Sequence, residues 1–558
     1  MSRYLIVVHD DSATASIDDW LRLRKSPASE QWSTRLNGTF SVRIVSPDVA
    51  SAIRGRSFFT GVAMSEAASF VAFGSAGWQR SDRARPRGGV TPSGSFVQAS
   101  WTRHELRLGN DLFGTVPVLQ AHGPGFVAFS DSLLVLTDLR DRFGLVNSPN
   151  AEALLARTGL SWRTAQNLST ETVVREITMV APGRGVTVQC SRPLLVDTDE
   201  TSLGTLLESS SAPVDAARRS AGFLASVLRE VPGILPTSVH LSPDGDAVLQ
   251  GALDLAGTEG GVTLQADAGA VERLHGRAGG RAIEAVPEIS DAAALSGWAA
   301  TGLGLYDVVA PSTQAAHETT TVTVDSAGNA IARRIWGAES AEGMQAESGL
   351  EGAAAEAYVA QVKKGLRSIG GDPTSPSSSQ QHYVAFRAPR YVSAARSGRP
   401  AVHPLHTLSS AAVATTSAHF DGADGLDVLE TVLRSRGAQT TDPAAAGRAA
   451  LTLTELGGPL QDSEVPALSV FGSGVPATAS TELSASIAAA RGLGSSIENR
   501  EVLVELMRDL VGVLPDDLLP SYEPLLANAR WHLVDRREPL AAAGPSVGRL
   551  LSLVLFAN

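Results

Sequence analysis

The sequence is short of several residue types, and each shortage excludes a class of protein. It has one cysteine, Cys190, which rules out an intrachain disulfide and any zinc site built from cysteines. Lysine occurs only at Lys25, Lys363 and Lys364, so arginine carries almost all of the positive charge. No stretch approaches the ~18 apolar residues of a membrane helix, and the short apolar start lacks a signal peptide's length and cleavage site. We therefore expect a soluble, cytoplasmic protein.

The charge balance excludes a further class of partner. The formal net charge is −12, and charged residues make up 19% of the chain, below the roughly 25% that is typical of soluble domains. A net acidic chain without a basic block is poorly suited to binding a phosphate backbone, so we expect no nucleic-acid partner. The 558 residues, of which 43% are hydrophobic, are enough for two to four domains with sizeable cores.

The two halves of the chain differ in their local patterns. In the first 200 residues, short β-type runs are separated by turn residues, which predicts a packed β-sandwich with few helices. A polar stretch from 197 to 213 follows, and beyond it strand-like and helical segments alternate, which predicts a parallel sheet with helices on its faces. The predicted strands of this second half are residues 237–241, 262–265 and 282–286. Residues 370–381 and 437–447 have compositions typical of mobile segments.

Four motifs of the first half occur one after another along the chain. They are residues 36–42 (L-N-G-T-F-S-V), 109–119 (G-N-D-L-F-G-T-V-P-V-L), 126–136 (F-V-A-F-S-D-S-L-L-V-L) and 175–185 (R-E-I-T-M-V-A-P-G-R-G). In this order they resemble a strand entry, a turn and two later segments of the asparagine synthetase family. Each match is weak alone, whereas four in order are more specific.

This chain has a different residue at the position of the family's glutaminase nucleophile. Glutamine-hydrolysing members have a cysteine directly after the initiator methionine, and this chain has Ser2. A hydroxyl is a much weaker nucleophile than a thiolate unless a base activates it, and Cys190 lies too far along the chain to replace it. We therefore expect no release of ammonia from glutamine. β-Lactam synthetases and lasso-peptide cyclases share this loss, and the sequence does not separate these two branches.

The nucleotide loop is the most informative departure. Residues 239–250 (V-H-L-S-P-D-G-D-A-V-L-Q) resemble the family's V-x-L-S-G-G-x-D-S loop, whose backbone N–H groups surround pyrophosphate. Ser242, Gly245 and Asp246 keep their places, and the resemblance makes Asp246 a magnesium ligand. Pro243 removes an N–H donor. Asp244 brings a like charge that costs roughly 4 kcal/mol at 4 Å and an effective dielectric near 20.

The remaining active-site motifs are also only partly kept. Residues 335–343 (I-W-G-A-E-S-A-E-G) resemble the second metal motif, in which Gly337 lines the nucleotide and Glu339 replaces the magnesium-binding aspartate. Arg500 stands where the family has a lysine that stabilises the transition state, and arginine keeps the charge but not the point-donor geometry. The ordinary alternative is that Asp246 and Glu339 are solvated loop acids and Arg500 is a surface charge. Residues 370–490 match nothing in the family.

The resemblance implies both a fold and a function. The implied fold is an α+β N-terminal Ntn-hydrolase-like β-sandwich over residues 1–200, followed by an α/β parallel-sheet ATP-pyrophosphatase domain (adenine nucleotide alpha hydrolase-like) over residues 214–558. The implied function is ATP- and Mg²⁺-dependent adenylation of a carboxylate, followed by amide or lactam formation on a small-molecule or peptide substrate. Residues 300–320 and the unmatched helical region are the expected substrate pocket.

Two alternatives stay open. Pro243, Asp244, Ser340 and Arg500 depart from the family at catalytic positions, which favours a degenerate pseudoenzyme that serves as a binding or scaffold subunit. Such a subunit would act with a protein partner or as a homo-oligomer. The more remote alternative is a two-domain binding protein of unknown ligand, unrelated to this family.

Overall fold

A computed structural model defines most of the chain. It describes residues 3–47, 49–84, 90–199, 203–208, 213–241, 246–257, 262–267, 271, 282–286, 295, 298–299, 302–307, 321–325, 329–332, 340–389, 401–415, 425–434, 460–472, 481–493 and 499–557. The strands are β1 Leu5–Asp10, β2 Gln31–Arg35, β3 Phe40–Val45, β4 Ile53–Arg54, β5 Ser57–Ser65, β6 Phe70–Phe73, β7 Ser93–Trp101, β8 Glu105–Asn110, β9 Leu119–Gly123, β10 Phe126–Ser130, β11 Ile177–Met179, β12 Gly185–Gln189, β13 Leu195–Thr198, β14 Thr237–Leu241, β15 Val262–Asp267, β16 Ile283–Val286, β17 Val322–Asp325, β18 Ala401–Val402 and β19 Ser469–Phe471.

Helices connect and cover these strands. The α-helices are Asp11–Leu23, Val49–Ala52, Gly74–Ala84, Leu133–Arg142, Ala151–Leu155, Leu203–Glu208, Pro213–Glu230, Asp246–Ala256, Asn329–Ala332, Ala341–Ser348, Gly352–Ser368, Ser378–His382, Leu408–Thr415, Gly425–Arg434, Glu482–Ala490, Arg500–Val511, Leu519–Arg530 and Leu540–Leu551. Within these described residues, no helix has the length and apolarity needed to cross a membrane.

The first half forms two facing sheets. The first has the order β11-β9-β10-β1-β3-β2 and is antiparallel throughout, and the second has the order β13-β12-β8-β7-β5-β6-β19. Ile6 and Val8 of β1 pack into the core between the sheets, whereas Leu5 and Val7 face the opposite side. Both faces of β1 are therefore buried, which explains why its sequence is a continuous apolar run.

Helices cover the outer faces of both sheets. The helix Gly74–Ala84 packs on β5, β6 and β19 of the second sheet. On the first sheet, Leu5 and Val7 share a hydrophobic cluster with Leu503 and Met507 of a C-terminal helix. The first half is thus a four-layer α/β/β/α arrangement, and residues from the far end of the chain complete it.

The second half contains a parallel sheet of five strands in the order β16-β15-β14-β17-β18. One face carries Val239, Leu241 and Val324, which pack with the helices Pro213–Glu230 and Asp246–Ala256 in one cluster. In the described part of the chain, a sandwich is thus followed by a parallel sheet, in the predicted order. The predicted domain boundary at residues 200–214 stays a prediction, and the helix Leu203–Glu208 lies within that range.

Two sequence predictions about local structure were wrong. The sandwich was expected to have few helices, yet Asp11–Leu23 follows β1 directly because Asp10 caps it and Ile17, Trp20 and Leu21 share one buried face. Residues 370–381 were expected to be mobile, but residues 378–381 belong to a buried helix in which Gln381 Nε2 donates to Glu208 Oε1 at 3.1 Å. The other predicted mobile stretch, 437–447, lies outside the described residues.

A buried ion cluster joins distant segments of the chain. Asp307 accepts from Arg157 Nη2 at 3.3 Å and from Arg549 Nη2 at 2.8 Å, and the side chains of all three residues are at most 3% exposed. Arg157 Nη1 also donates to the carbonyl of Gly304 at 2.5 Å. Gly304 has a φ of +76°, and an added Cβ would lie 2.7 Å from Leu133. This cluster links the sandwich, residues 304–307 and the C-terminal helix.

Candidate functional site

The parallel sheet reverses its winding direction at β14. The chain runs outward from β14 through β15 to β16, then returns to the other side of β14 for β17 and β18. Crevices for ligands in open α/β sheets form at the carboxyl ends of the strands where this reversal occurs. The four residues 242–245 join the end of β14 to the helix that begins at Asp246, so they lie at this point in the chain. This carboxyl edge is therefore the candidate site.

A histidine–aspartate pair lies at this edge. Asp325 ends β17 and is in register with His240 of β14, and His403 follows β18 directly. His403 Nδ1 and Asp325 Oδ1 are 2.6 Å apart, and both residues are at most 2% exposed. An ionised carboxylate can only accept a hydrogen bond, so it holds the proton on Nδ1 and fixes the orientation of the ring.

A second hydrogen-bonded chain reaches this edge from the sandwich. Asp111 Oδ1 accepts from the Thr115 hydroxyl at 3.0 Å, and Thr115 Oγ1 lies 3.3 Å from His406 Nδ1. The Phe113 ring packs against His406 with centroids 4.5 Å apart. The amide of His406 donates to the carbonyl of His403, so one turn carries both histidines.

The charge states along this chain follow from burial. Burial raises the pKa of Asp111 to about 7, against hydrogen bonds from Thr115, Val116 and Phe113 that lower it. Burial, followed by the neighbouring His403, lowers the pKa of His406 to about 3. His406 is therefore neutral at physiological pH. Because the Thr115 hydroxyl donates to Asp111, His406 Nδ1 carries the proton and Nε2 is an acceptor.

The predicted nucleotide residues are only partly visible. Ser242, Gly245, Gly337 and Glu339 lie outside the described residues. Asp246 is the first residue of the helix Asp246–Ala256, as the motif predicted, although its side chain is not described. Among the residues that are described, no group of three or more His, Cys, Asp or Glu side chains could hold a metal ion.

Arg500 and Asp246 begin helices that pack in different hydrophobic clusters. Arg500 is the first residue of the helix Arg500–Val511, which Asn499 caps by accepting from two backbone amides. The buried face of that helix joins the cluster on the first sheet, whereas the helix of Asp246 packs in the cluster of the parallel sheet. A cation at a helix N-terminus is also unfavourable for the helix dipole.

The loss of glutaminase chemistry stays a prediction. Ser2 lies outside the described residues, and the amide of Arg3 donates to both carboxylate oxygens of Asp131 at 3.0 Å. Cys190 follows β12 and is half-buried, and burial raises the pKa of its thiol to about 11. A protonated thiol is a poor nucleophile.

Four residues at this edge were not predicted from the sequence: Asp325, His403, His406 and Asp111. An acid at the end of a β-type run, V-T-V-D at 322–325, was a usable signal because strand ends line ligand crevices. The closely spaced histidines of H-P-L-H at 403–406 were a second signal, since the chain has only 11 histidines. Both lie in segments that the family motifs did not cover.

Comparison with known proteins adds little. No protein-family model and no curated protein matches the sequence significantly. The chain is similar to a solved structure of glutamine phosphoribosylpyrophosphate amidotransferase from B. subtilis in complex with ADP and GMP, at 11% identity, over 59% of this chain and 77% of that one, with a TM-score of 0.21. A structure described as the allosteric regulatory enzyme of purine biosynthesis gives 11% identity, coverage of 60% and 76%, and a TM-score of 0.21. Likenesses of this size carry no argument about this chain.

Proposed function

We propose that the protein forms an amide or lactam bond by ATP-dependent activation of a carboxylate at the carboxyl edge of the parallel sheet, without hydrolysing glutamine. The observation that supports this is the reversal of winding at β14, where residues 242–245 lead into the helix that begins at Asp246. A helix N-terminus that follows a strand within a few residues at such a reversal is suited to phosphate groups.

Each residue has a stated role in this proposal. Ser242, Gly245 and Gly337 would line the phosphates, while Asp246 and Glu339 would hold Mg²⁺, which neutralises phosphate charge when bound. Arg500 would supply positive charge to the developing transition state, as the family resemblance implies.

The Asp325–His403 pair gives the proposal a proton acceptor. An amine that attacks an acyl adenylate must lose a proton as the C–N bond forms and the C–O bond to AMP breaks. A neutral imidazole held in position by a carboxylate is an effective general base near neutral pH. The geometry of the pair, with Nδ1 2.6 Å from the carboxylate, suits this role.

Nucleotide binding provides the direct test. Calorimetry with ATP and excess Mg²⁺ should give a dissociation constant below about 1 mM. Asp246→Asn should weaken binding at least tenfold, because a neutral amide is a poor ligand for Mg²⁺. Asp254→Asn is the matched control, since Asp254 is an exposed carboxylate two turns further along the same helix. An absence of heat at millimolar nucleotide would remove the basis of the proposal.

A second candidate function is a binding or scaffold subunit without turnover. Pro243 and Asp244 stand where two glycines would surround the phosphates, and Arg500 lies on a helix that packs with the first sheet. These departures favour a protein that keeps the architecture for recognition alone.

Restoring the loop separates the two candidates. If the protein is a scaffold subunit, the wild type does not bind Mg·ATP. The double substitution Pro243→Gly and Asp244→Gly should then create millimolar or tighter affinity, because it returns an N–H donor and removes a like charge. The exposed dipeptide Pro515-Asp516 offers a matched control, because Pro515→Gly with Asp516→Gly makes the same chemical change elsewhere. A restored loop that still ignores ATP would mean that the crevice itself does not accept a nucleotide.

A further inference from the structure

The turn that carries both site histidines lies between the parallel sheet and the sandwich. It consists of residues 403–407, and we call it the histidine turn. It follows β18 directly and leads into the helix Leu408–Thr415. β18 pairs with β17 of the parallel sheet and also lies against β7 of the sandwich. All five residues of the turn are buried, so contacts from both sides set its conformation.

Thr115 of the sandwich is the first attachment of the histidine turn. Its hydroxyl donates to Asp111 at 3.0 Å, and the same oxygen lies 3.3 Å from His406 Nδ1. A hydroxyl has one proton, so Thr115 meets His406 only as an acceptor. The ring of Phe113 packs against the same imidazole. The sandwich therefore fixes both the tautomer and the plane of His406.

Glu66 is the second attachment. It is the first residue after β5, and its carboxyl reaches the start of the helix Leu408–Thr415. Burial raises the pKa of Glu66, whereas hydrogen bonds from Ser409 and Thr407 lower it. One of these bonds comes from the backbone amide of Ser409, where a carboxylate is favoured by the helix dipole. The sandwich thus also holds Thr407, the last residue of the histidine turn.

These attachments act on His403 at the start of the turn. The amide of His406 donates to the carbonyl of His403 at 2.8 Å, so a displacement of one histidine moves the other. His403 Nδ1 lies 2.6 Å from Asp325 Oδ1, and a hydrogen bond of this length allows little movement. A catalytic group that is displaced by about 1 Å can lose about a hundredfold in rate.

We propose that Thr115 and Glu66 are positioning residues for His403, and that the sandwich thereby holds the proton acceptor of the parallel sheet in place. The role of His403 as proton acceptor rests on the proposed function, whereas its positioning can be measured without any reaction. Positioning needs neither a nucleophile at residue 2 nor ammonia. It therefore gives the sandwich a task that does not involve glutamine.

NMR of the imidazole nitrogens tests the role of Thr115 in the full chain labelled with ¹⁵N-histidine. In the wild type, His406 should carry its proton on Nδ1, and His403 should show an Nδ1 proton that Asp325 protects from exchange with water. Thr115→Val keeps the shape of the side chain but removes the hydroxyl. The Nδ1 proton of His403 should then exchange about tenfold faster or more, because the turn is no longer held.

A rescue and a control make the Thr115 result specific. Thr115→Ser keeps the hydroxyl, so its His403 proton should exchange as in the wild type. Thr137→Val is the matched control, because Thr137 is equally buried and its hydroxyl donates to the carbonyl of Leu134 within its own helix. This control should leave the signals of both site histidines unchanged.

Glu66→Gln tests the second attachment, and it also decides the matter if Thr115→Val does not fold. It too should speed exchange of the His403 proton, because the amide side chain loses the charge that favours the helix N-terminus. Glu30→Gln is the matched control. Glu30 is another buried carboxylate of the sandwich, and it accepts from the amide of Glu482, the first residue of a different helix.

The outcomes separate this proposal from the proposed function. A wild type that does not bind Mg·ATP would remove the proposed function, and the NMR comparison would still decide whether the sandwich positions His403. An unprotected His403 proton in the wild type would overturn the positioning proposal. Unchanged exchange in both folded variants would do the same, as would equally fast exchange in the two controls. An effect of one variant alone would overturn the role of the other residue.

Discussion

Asp307→Ala is expected to lower the free energy of unfolding by about 3–5 kcal/mol, because it leaves two buried arginines without their counter-charge. The side chains of Arg157 and Arg549 are at most 3% exposed, and both donate to Asp307. Burial already lowers the pKa of Arg157, with Asp307 as the largest opposing influence. A loss of this size is a large share of the roughly 5–15 kcal/mol by which domains are stable.

Chemical denaturation followed by circular dichroism measures this loss. The matched control is Asp19→Ala, which breaks two surface ion pairs of Asp19, with Arg22 at 2.7 Å and with Arg142 at 3.4 Å, where every side chain is at least 38% exposed. Surface pairs of this kind contribute about 0–1 kcal/mol. Equal effects of the two substitutions would show that the buried cluster does not hold the three segments together.

Asp111→Asn is expected to change how stability depends on pH. Burial raises the pKa of Asp111 from 3.8 to about 7 in the folded protein. The folded state therefore binds the proton more tightly than the unfolded state does. The protonated Asp111 contributes its full stabilisation below about pH 4. As the pH rises to about 7 this contribution is lost, which lowers the free energy of unfolding by about 4 kcal/mol. Asparagine is neutral throughout, so the variant should not show this loss.

The readout is the difference in unfolding free energy between Asp111→Asn and the wild type. The unfolding free energy of the variant should increase relative to that of the wild type from pH 4 to pH 7, and the difference should stay constant above pH 7. The variant should also be less stable by an amount that does not depend on pH. The amide of Val116 donates to Asp111 Oδ2 at 3.3 Å, and it would meet a second donor if the new NH₂ group of asparagine replaced that oxygen. The exposed Asp516→Asn is the control. Parallel pH profiles for Asp111→Asn and wild type would contradict the prediction.

The opposite pH dependence of His406 does not obscure this test. Its pKa is lowered to about 3 in the folded protein, so its contribution is present above the unfolded value near 6.5 and is lost as the pH falls toward 3. Both proteins contain His406. Its contribution therefore largely cancels in the difference, and the slope that remains belongs to Asp111.

Local sequence patterns predicted the strands and helices whose apolar residues follow one another at regular spacing along the chain. The strand Thr237–Leu241 was predicted with its observed bounds. The helix Asp246–Ala256 agrees with the predicted alternation of strands and helices, and it begins at the aspartate of the motif. Such elements depend on periodicity and turn residues, which a sequence displays directly.

The contacts at the candidate site could not be predicted in this way. Asp325 and His403 are 78 residues apart, and Thr115 and His406 are 291 residues apart. Only the pairing of β17 with β18 and the packing of the two halves bring these residues together. The buried residues 378–381 show the same limit, because their Ser- and Gln-rich composition is typical of loops, while hydrogen bonds to distant segments keep them helical.

The pairing of β19 with β6 has a consequence for the newly made chain. The strand Ser469–Phe471 adds in parallel to Phe70–Phe73 at the edge of the second sheet. During synthesis at about 5–20 residues per second, the partner strand emerges roughly 20–80 s after β6. Throughout that interval the nascent sheet presents an open edge rich in phenylalanine, the kind of surface that aggregates or recruits chaperones. We therefore expect ribosome-bound intermediates to aggregate more readily than the finished protein.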